Sequence, residues 1–168
     1  MRLAQGEDLP SRPPPPVENP GRILAIDYGR KRLGLALSDE LRLTARPLMI
    51  LSRSNRQNDL RRLRELCRQH EVRQIIVGHP LLLTGAESEM AAETVRFAGR
   101  LRKHLGIAVE LVDERLTSWD ASQMQNAANS SAHHHSSSLD DIAAAIILRD
   151  YLQRSRSQTA PSALGEVG

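Results

Sequence analysis

The stretch from Ile23 to Ser38 reads Ile-Leu-Ala-Ile-Asp-Tyr-Gly-Arg-Lys-Arg-Leu-Gly-Leu-Ala-Leu-Ser, and it constrains the fold of the chain more than any other. Two apolar β-type runs are separated only by Tyr28-Gly29-Arg30-Lys31-Arg32. So short a connection predicts antiparallel neighbours in one sheet. The first run has no polar break before its end, the pattern of a strand covered on both faces. It closes on Asp27. A carboxylate there must be solvated, paired or metal-bound, because burying it bare costs many kcal/mol. The plainer alternative is that Asp27 ties down the turn by accepting from backbone N–H groups.

The remaining chain is long enough to wrap such a hairpin in one domain, at 168 residues. Hydrophobic residues make up 40% and aromatic residues only 2%, so the core must be aliphatic. That scarcity argues against single-strand binding by base stacking as the main mode. Of 23 basic residues 21 are Arg, the better fork for phosphate, and the formal charge is +3. This balance permits a nucleic-acid partner without requiring one, since a charge run is usually a solvated face. The single Cys67 excludes a disulfide framework and a Cys-rich zinc site, and fits a reducing cytoplasm. No apolar run approaches the roughly 20 residues needed to span a bilayer.

Six of nine prolines fall between Pro10 and Pro20, which predicts an extended leader over residues 1–20. After the hairpin, Arg46 to Ser52 reads as a third strand, with Pro47 suited to a strand start or a sheet edge. Asn58 to Glu71 reads as a helix with Leu60, Leu63, Leu66 and Cys67 on its inner face and Arg61, Arg62, Arg64 and Arg68 outside. Gln74 to Gly78 is a buried strand. Ala86 to Leu105 is a long helix with Met90, Val95 and Leu101 inward, and Ile107 to Val112 is a further strand. Strand, helix, strand, helix in this order implies crossover connections and partly parallel pairing. Beyond it the sequence predicts a helix over Trp119 to Ala127, a polar loop from Asn126 to Ser138 containing His133, His134 and His135, and a last helix from Asp140 to Leu152. A disordered tail is expected over residues 154–168, leaving 21–153 as the domain.

Three acidic positions stand at the edges of apolar elements: Asp27, the pair Asp113-Glu114, and the pair Asp140-Asp141. Strand ends at a topological switch are where open α/β sheets put their sites. Converging carboxylates repel unless a cation lies between them, so they predict a hard, oxygen-loving ion such as Mg2+ or Mn2+. The chemistry of such a centre is phosphoryl transfer. At about 100° per residue, Asp140 lies nearer than Asp141 to the direction of Ala144, Ile147, Leu148 and Tyr151. Both acids would also favour a helix N-terminus electrostatically. Asp113 and Glu114 leave a strand on opposite faces, so only one can face the site, and spacing does not decide which.

Four blocks together resemble the YqgF-type family, Holliday junction resolvases of RNase H-like fold also described as pre-16S rRNA nucleases. They are Leu24-Ala-Ile-Asp-Tyr-Gly29 with Gly34, Ile76-Val-Gly-His-Pro80 with Gly85, Val112-Asp-Glu-Arg-Leu-Thr-Ser118, and Leu139-Asp-Asp-Ile-Ala-Ala144 running into Ile146-Ile-Leu-Arg-Asp-Tyr-Leu152. The resemblance implies a mixed five-stranded sheet flanked by helices, with Asp27, Glu114 and Asp140 as catalytic, metal-binding acids. It implies substrate contacts from Gly29, Gly34, Arg115, Thr117 and Ser118, and a loop shaped by Gly78, Pro80 and Gly85. The implied function is a cytoplasmic, metal-dependent nuclease processing the 5′ end of pre-16S rRNA, monomeric or homodimeric, with structured RNA and a pre-ribosomal particle as partners. The alternative of the same chemistry is resolution of branched DNA. A third reading, from another class, takes Asp27-Tyr28-Gly29 with Gly34 as the phosphate loop of an actin- or Hsp70-like nucleotide-binding domain. The chain departs from the family in its proline-rich leader and in the histidine run, where such proteins often carry a basic loop.

Overall fold

A computed structural model describes residues 19–82, 84–116 and 139–159, without the side chains of 116, 139–141 and 159. The expected leader up to residue 18, the helix over 119–127, the 126–138 loop with its histidines, and Thr117 and Ser118 lie outside the described residues.

Five strands form one mixed sheet in the order β3-β2-β1-β4-β5. Strands β1 (Arg22–Tyr28) and β2 (Arg32–Ser38) make the expected hairpin, paired antiparallel from Leu24↔Leu37 to Tyr28↔Leu33. Strand β3 (Ala45–Ser52) adds antiparallel to β2 at the sheet edge. Pro47 sits opposite Ala36 at a register shift in that pair, a position where its missing N–H costs little. Strands β4 (Val72–His79) and β5 (Ala108–Asp113) extend the sheet in parallel from β1. Parallel neighbours require crossovers, and helices α1 (Arg56–Gln69) and α2 (Glu89–Leu105) supply them. The last helix, α3 (Leu139–Thr159), runs beyond the expected end at Leu152.

Local chemistry sets the helix ends. The Asn55 side chain accepts from Asn58 N at 2.9 Å to cap α1, and Ser88 Oγ accepts from Ala91 N at 3.1 Å to cap α2. Gly106 closes α2 in the left-handed region at φ 65°. The Ser88 cap starts α2 later than the Ala86 read from sequence and fixes its phase. Ala91, Thr94, Phe97, Ala98 and Leu101 are buried, whereas Val95, expected inward, is 39% exposed.

The sheet separates two apolar layers. On one face Leu24, Ile26, Leu35, Ile75, Val77 and Val109 pack against Leu60 and Leu63 of α1 and Phe97 and Leu101 of α2. On the other, Ile23, Ala25, Ala36, Ile76 and Val112 pack against Ala144, Ile147, Leu148 and Leu152 of α3. Each fully buried Leu or Ile contributes about 1.5–3 kcal/mol, so this division of faces dominates the choice of register. No described helix is long and apolar enough to cross a membrane.

Candidate active site

Strand alternation decides which residues meet at the C-terminal edge of β1, β4 and β5. Ile23 and Ala25 face α3, so Asp27 follows on that face. Ala36 faces α3 as well, and so does Gly34, which lies directly across from Asp27. On β4, Ile76 is succeeded on this face by Gly78. On β5, Val112 faces α3, and Glu114 follows it in a single 3-10 turn over Glu114–Leu116.

Glu114 reaches back across Gly78. A Cβ built on Gly78 would overlap Glu114 Oε1, and Ile147 of α3 closes the same space. The Glu114 carboxyl there hydrogen-bonds the Asp27 carboxyl. Its pKa is pushed up to about 7, first by burial, then by the Asp27 charge and hydrogen bond, and last by Asp113. Two carboxyls in contact must share a proton or take a cation. The ambiguity between Asp113 and Glu114 is thereby resolved in space. Asp113 takes a bidentate fork from Arg115, with Nη2 to Oδ2 at 2.6 Å and Nε to Oδ1 at 3.0 Å, and also accepts from Arg115 N at 3.0 Å. The fork holds Asp113 below the usual carboxylate range. It also folds the chain into the turn from which Glu114 reaches Asp27.

Asp140 lies in the first turn of α3, four residues before Ala144 and seven before Ile147, both buried on the sheet-facing side. Since Ile147 packs at Gly78, the start of α3 lies toward the same strand edge; the Asp140 side chain itself is outside the described residues.

The hairpin turn beneath the site is tightly held. A Cβ on Gly29 would overlap Arg32 O, so only glycine fits this turn. Arg53, which the sequence did not single out, grips it from the far side. Its Nη1 donates to Gly29 O at 3.0 Å, its backbone N donates to Lys31 O at 2.9 Å, and its Nε pairs with the buried Asp59 at 3.1 Å. No motif marks this, because Arg53 meets Gly29 only after three strands have paired. Gly85, at φ +81°, turns the loop after β4 so that Arg115 Nη1 lies 3.4 Å from where its Cβ would be.

Residues 21–154 match the family model described as RuvX: Holliday junction resolvase. A protein of Koribacter versatilis is 40% identical over 134 residues, covering 80% of this chain and 88% of its own length. One of Anaeromyxobacter sp. (strain K) is 41% identical over 133 residues, covering 79% and 97%. Both carry the name "Putative pre-16S rRNA nuclease". Among solved structures, Thermus thermophilus RuvC in complex with Holliday junction substrate matches with TM-score 0.50 at 17% identity, over 80% of this chain and 96% of that one. That likeness shows the RNase H-like fold. On the family match and the relatives near 40% identity, the chain belongs to the RuvX Holliday junction resolvase family.

Proposed function

We propose that this chain is a metal-dependent nuclease that processes the 5′ end of pre-16S rRNA during ribosome biogenesis in the cytoplasm. The observation that carries the chemistry is the meeting of Asp27 and Glu114 over Gly78. Two hydrogen-bonded carboxyls, one raised to about 7 by burial and by the charge of the other, are a donor set suited to a hard divalent cation. Asp27, Glu114 and Asp140 would hold Mg2+ or Mn2+, which when bound activates water and stabilises the leaving oxygen of a phosphodiester. Around it the chain's own residues orient the reacting strand. Gly34, directly across from Asp27, adds no side chain beside it, Gly78 makes room for the Glu114 carboxyl, and Gly29 lets the hairpin turn lie close to the substrate. Arg115 fixes Glu114 through the turn it closes with Asp113, and Thr117 and Ser118, next in the same sequence motif, are the residues assigned to substrate phosphate.

The names of the relatives favour rRNA as the substrate, within a pre-ribosomal particle. The description of the family model favours a second reading, cleavage of branched DNA. The test incubates purified protein with precursor rRNA fragments and with four-way DNA junctions, in Mg2+ or Mn2+, beside Asp27→Asn. Cleavage of the rRNA fragments by the wild type alone supports the first reading. Preference for junctions promotes the second, and equal cleavage by wild type and variant rejects the metal-nuclease chemistry.

A further inference from the structure

The face of the sheet away from the acids carries a second concentration of like charge. Helices α1 and α2 touch there, with Arg56 of α1 close enough to Arg100 of α2 to lower its pKa. On α1, Arg56, Leu60 and Arg64 recur at every fourth residue, and on α2, Arg96, Arg100 and His104 do the same. Successive members of each row stand about 6 Å apart along the helix, of the order of the spacing between neighbouring phosphates in one strand.

Along α1, and reaching His104 at the end of α2, opens a cleft of about 540 Å³ lined by Arg56, Gln57, Leu60, Arg61, Arg64 and His104, with no acid on its wall. Arg64 Nη2 bridges the two helices by donating to His104 O at 2.5 Å. A second cavity of about 450 Å³ shares Arg64 and is lined also by Arg68 and Arg73, with one acid, Glu71, on its wall. An ordinary solvated helix disperses such charge with acids one turn away. Here Glu65 meets only Arg61, at 4.0 Å, and Asp59 is buried against Arg53. Glu93, the acid near Arg96, is held by Arg30 at 2.7 Å. Among the described residues Arg56 and Arg100 form no ion pair. The crowding is felt at Arg100, whose guanidinium is held below its ordinary value by burial first, with Arg56, Arg53 and Arg96 adding to it.

Arg53, three residues before Arg56, holds the turn that follows Asp27 through Gly29 O. A strand leaving the acids over that turn meets the two rows next. We propose that the α1–α2 cleft binds the phosphate backbone of the nucleic-acid strand flanking the cleavage position, contributing affinity and no chemistry. The substrate is RNA on the reading above, on which this proposal rests.

The test uses the full chain carrying Asp27→Asn, so that a fluorescent hairpin RNA with a single-stranded flank is bound but not cut. Anisotropy is followed through a salt titration in EDTA. Adding Arg96→Gln with Arg100→Gln should weaken binding about tenfold and reduce the slope of log K against log salt by about 1.4, as expected for two lost single-strand phosphate contacts. Arg96→Lys with Arg100→Lys should recover most of that slope. Arg56→Gln, on the other helix, should lower it by about 0.7. Melting curves establish that each variant is folded. With Asp27 intact, the same arginine substitutions should leave cleavage of a short substrate reaching only the acidic edge unchanged. Unaltered affinity, or a loss with an unaltered salt slope, overturns the proposal. A wild-type chain that cuts nothing yet binds with the arginine-dependent slope would refute the nuclease reading and support this one.

Discussion

The two faces of the sheet make the same departure from ordinary folding with opposite sign. On the α3 face Asp27 and Glu114 are pressed together over Gly78. On the α1–α2 face Arg56 and Arg96 both bear on Arg100, beside a cleft without acids. A chain selected for stability alone would pair or disperse both sets. The difference lies in depth. The carboxyls are sunk against the sheet, where charge is costly and a single ion can be gripped. The guanidiniums stand toward solvent, where each is weakly held and many together can follow a flexible polyanion.

If that contrast is right, removing an acid should be catastrophic for activity and harmless to the fold. Asp27→Asn should lower single-turnover cleavage by about a thousandfold or more, roughly 4 kcal/mol of barrier, with an unchanged circular dichroism spectrum. Displacing an acid without removing it should cost somewhat less. Gly78→Ala puts a methyl where Glu114 Oε1 lies, and cleavage should fall about a hundredfold, as for other misplacements of about 1 Å.

The acidic side also predicts a pH dependence of stability. Glu114 has a folded pKa of about 7, above its ordinary value of 4.5, so the folded state holds a proton that the unfolded state has released. Metal-free protein should therefore lose stability as pH rises from about 4.5 through 7, by about 2 kcal/mol once partial solvation is allowed for. Glu114→Gln should abolish that loss while also abolishing cleavage. Chemical denaturation in EDTA at several pH values measures both, and a wild-type stability that is flat over this range would contradict the buried contact. The smallest effect belongs to the arginines. Arg100→Gln should leave the fold as stable as before or better by a few tenths of a kcal/mol, since it relieves a like-charge pair one turn from Arg96. A marked fall in melting temperature would mean that these side chains serve the core.

What could be read from sequence follows from the range of the forces involved. The β1–β2 hairpin was legible because two apolar runs flank a five-residue turn, and the crossovers because helix and strand periods alternate. The choice between Asp113 and Glu114 was not, because it depends on Val112 facing α3, a helix that begins 27 residues later. Val95 was misjudged for a related reason: the Ser88 cap and the burial of Ala91 and Phe97 set the phase of α2. Gly78 read as a loop former, whereas it is the seat of a carboxyl. The α1 arginines read mostly as a solvated face, and nothing in α1 announces that Arg100 of α2 lies near Arg56.

Helix α3 covers Ala25, Ala36 and Ile76 from the end of the described chain, and its first turn carries Asp140. During translation, then, the hairpin, α1, β4 and β5 all emerge before it. A growing polypeptide holds Asp27 and Glu114 but lacks Asp140, the third acid of the proposed set, and the helix that covers that half of its core. On that proposal the nuclease is armed only when this helix has been made and docked, and a half-made copy stays harmless to the transcripts around the ribosome producing it.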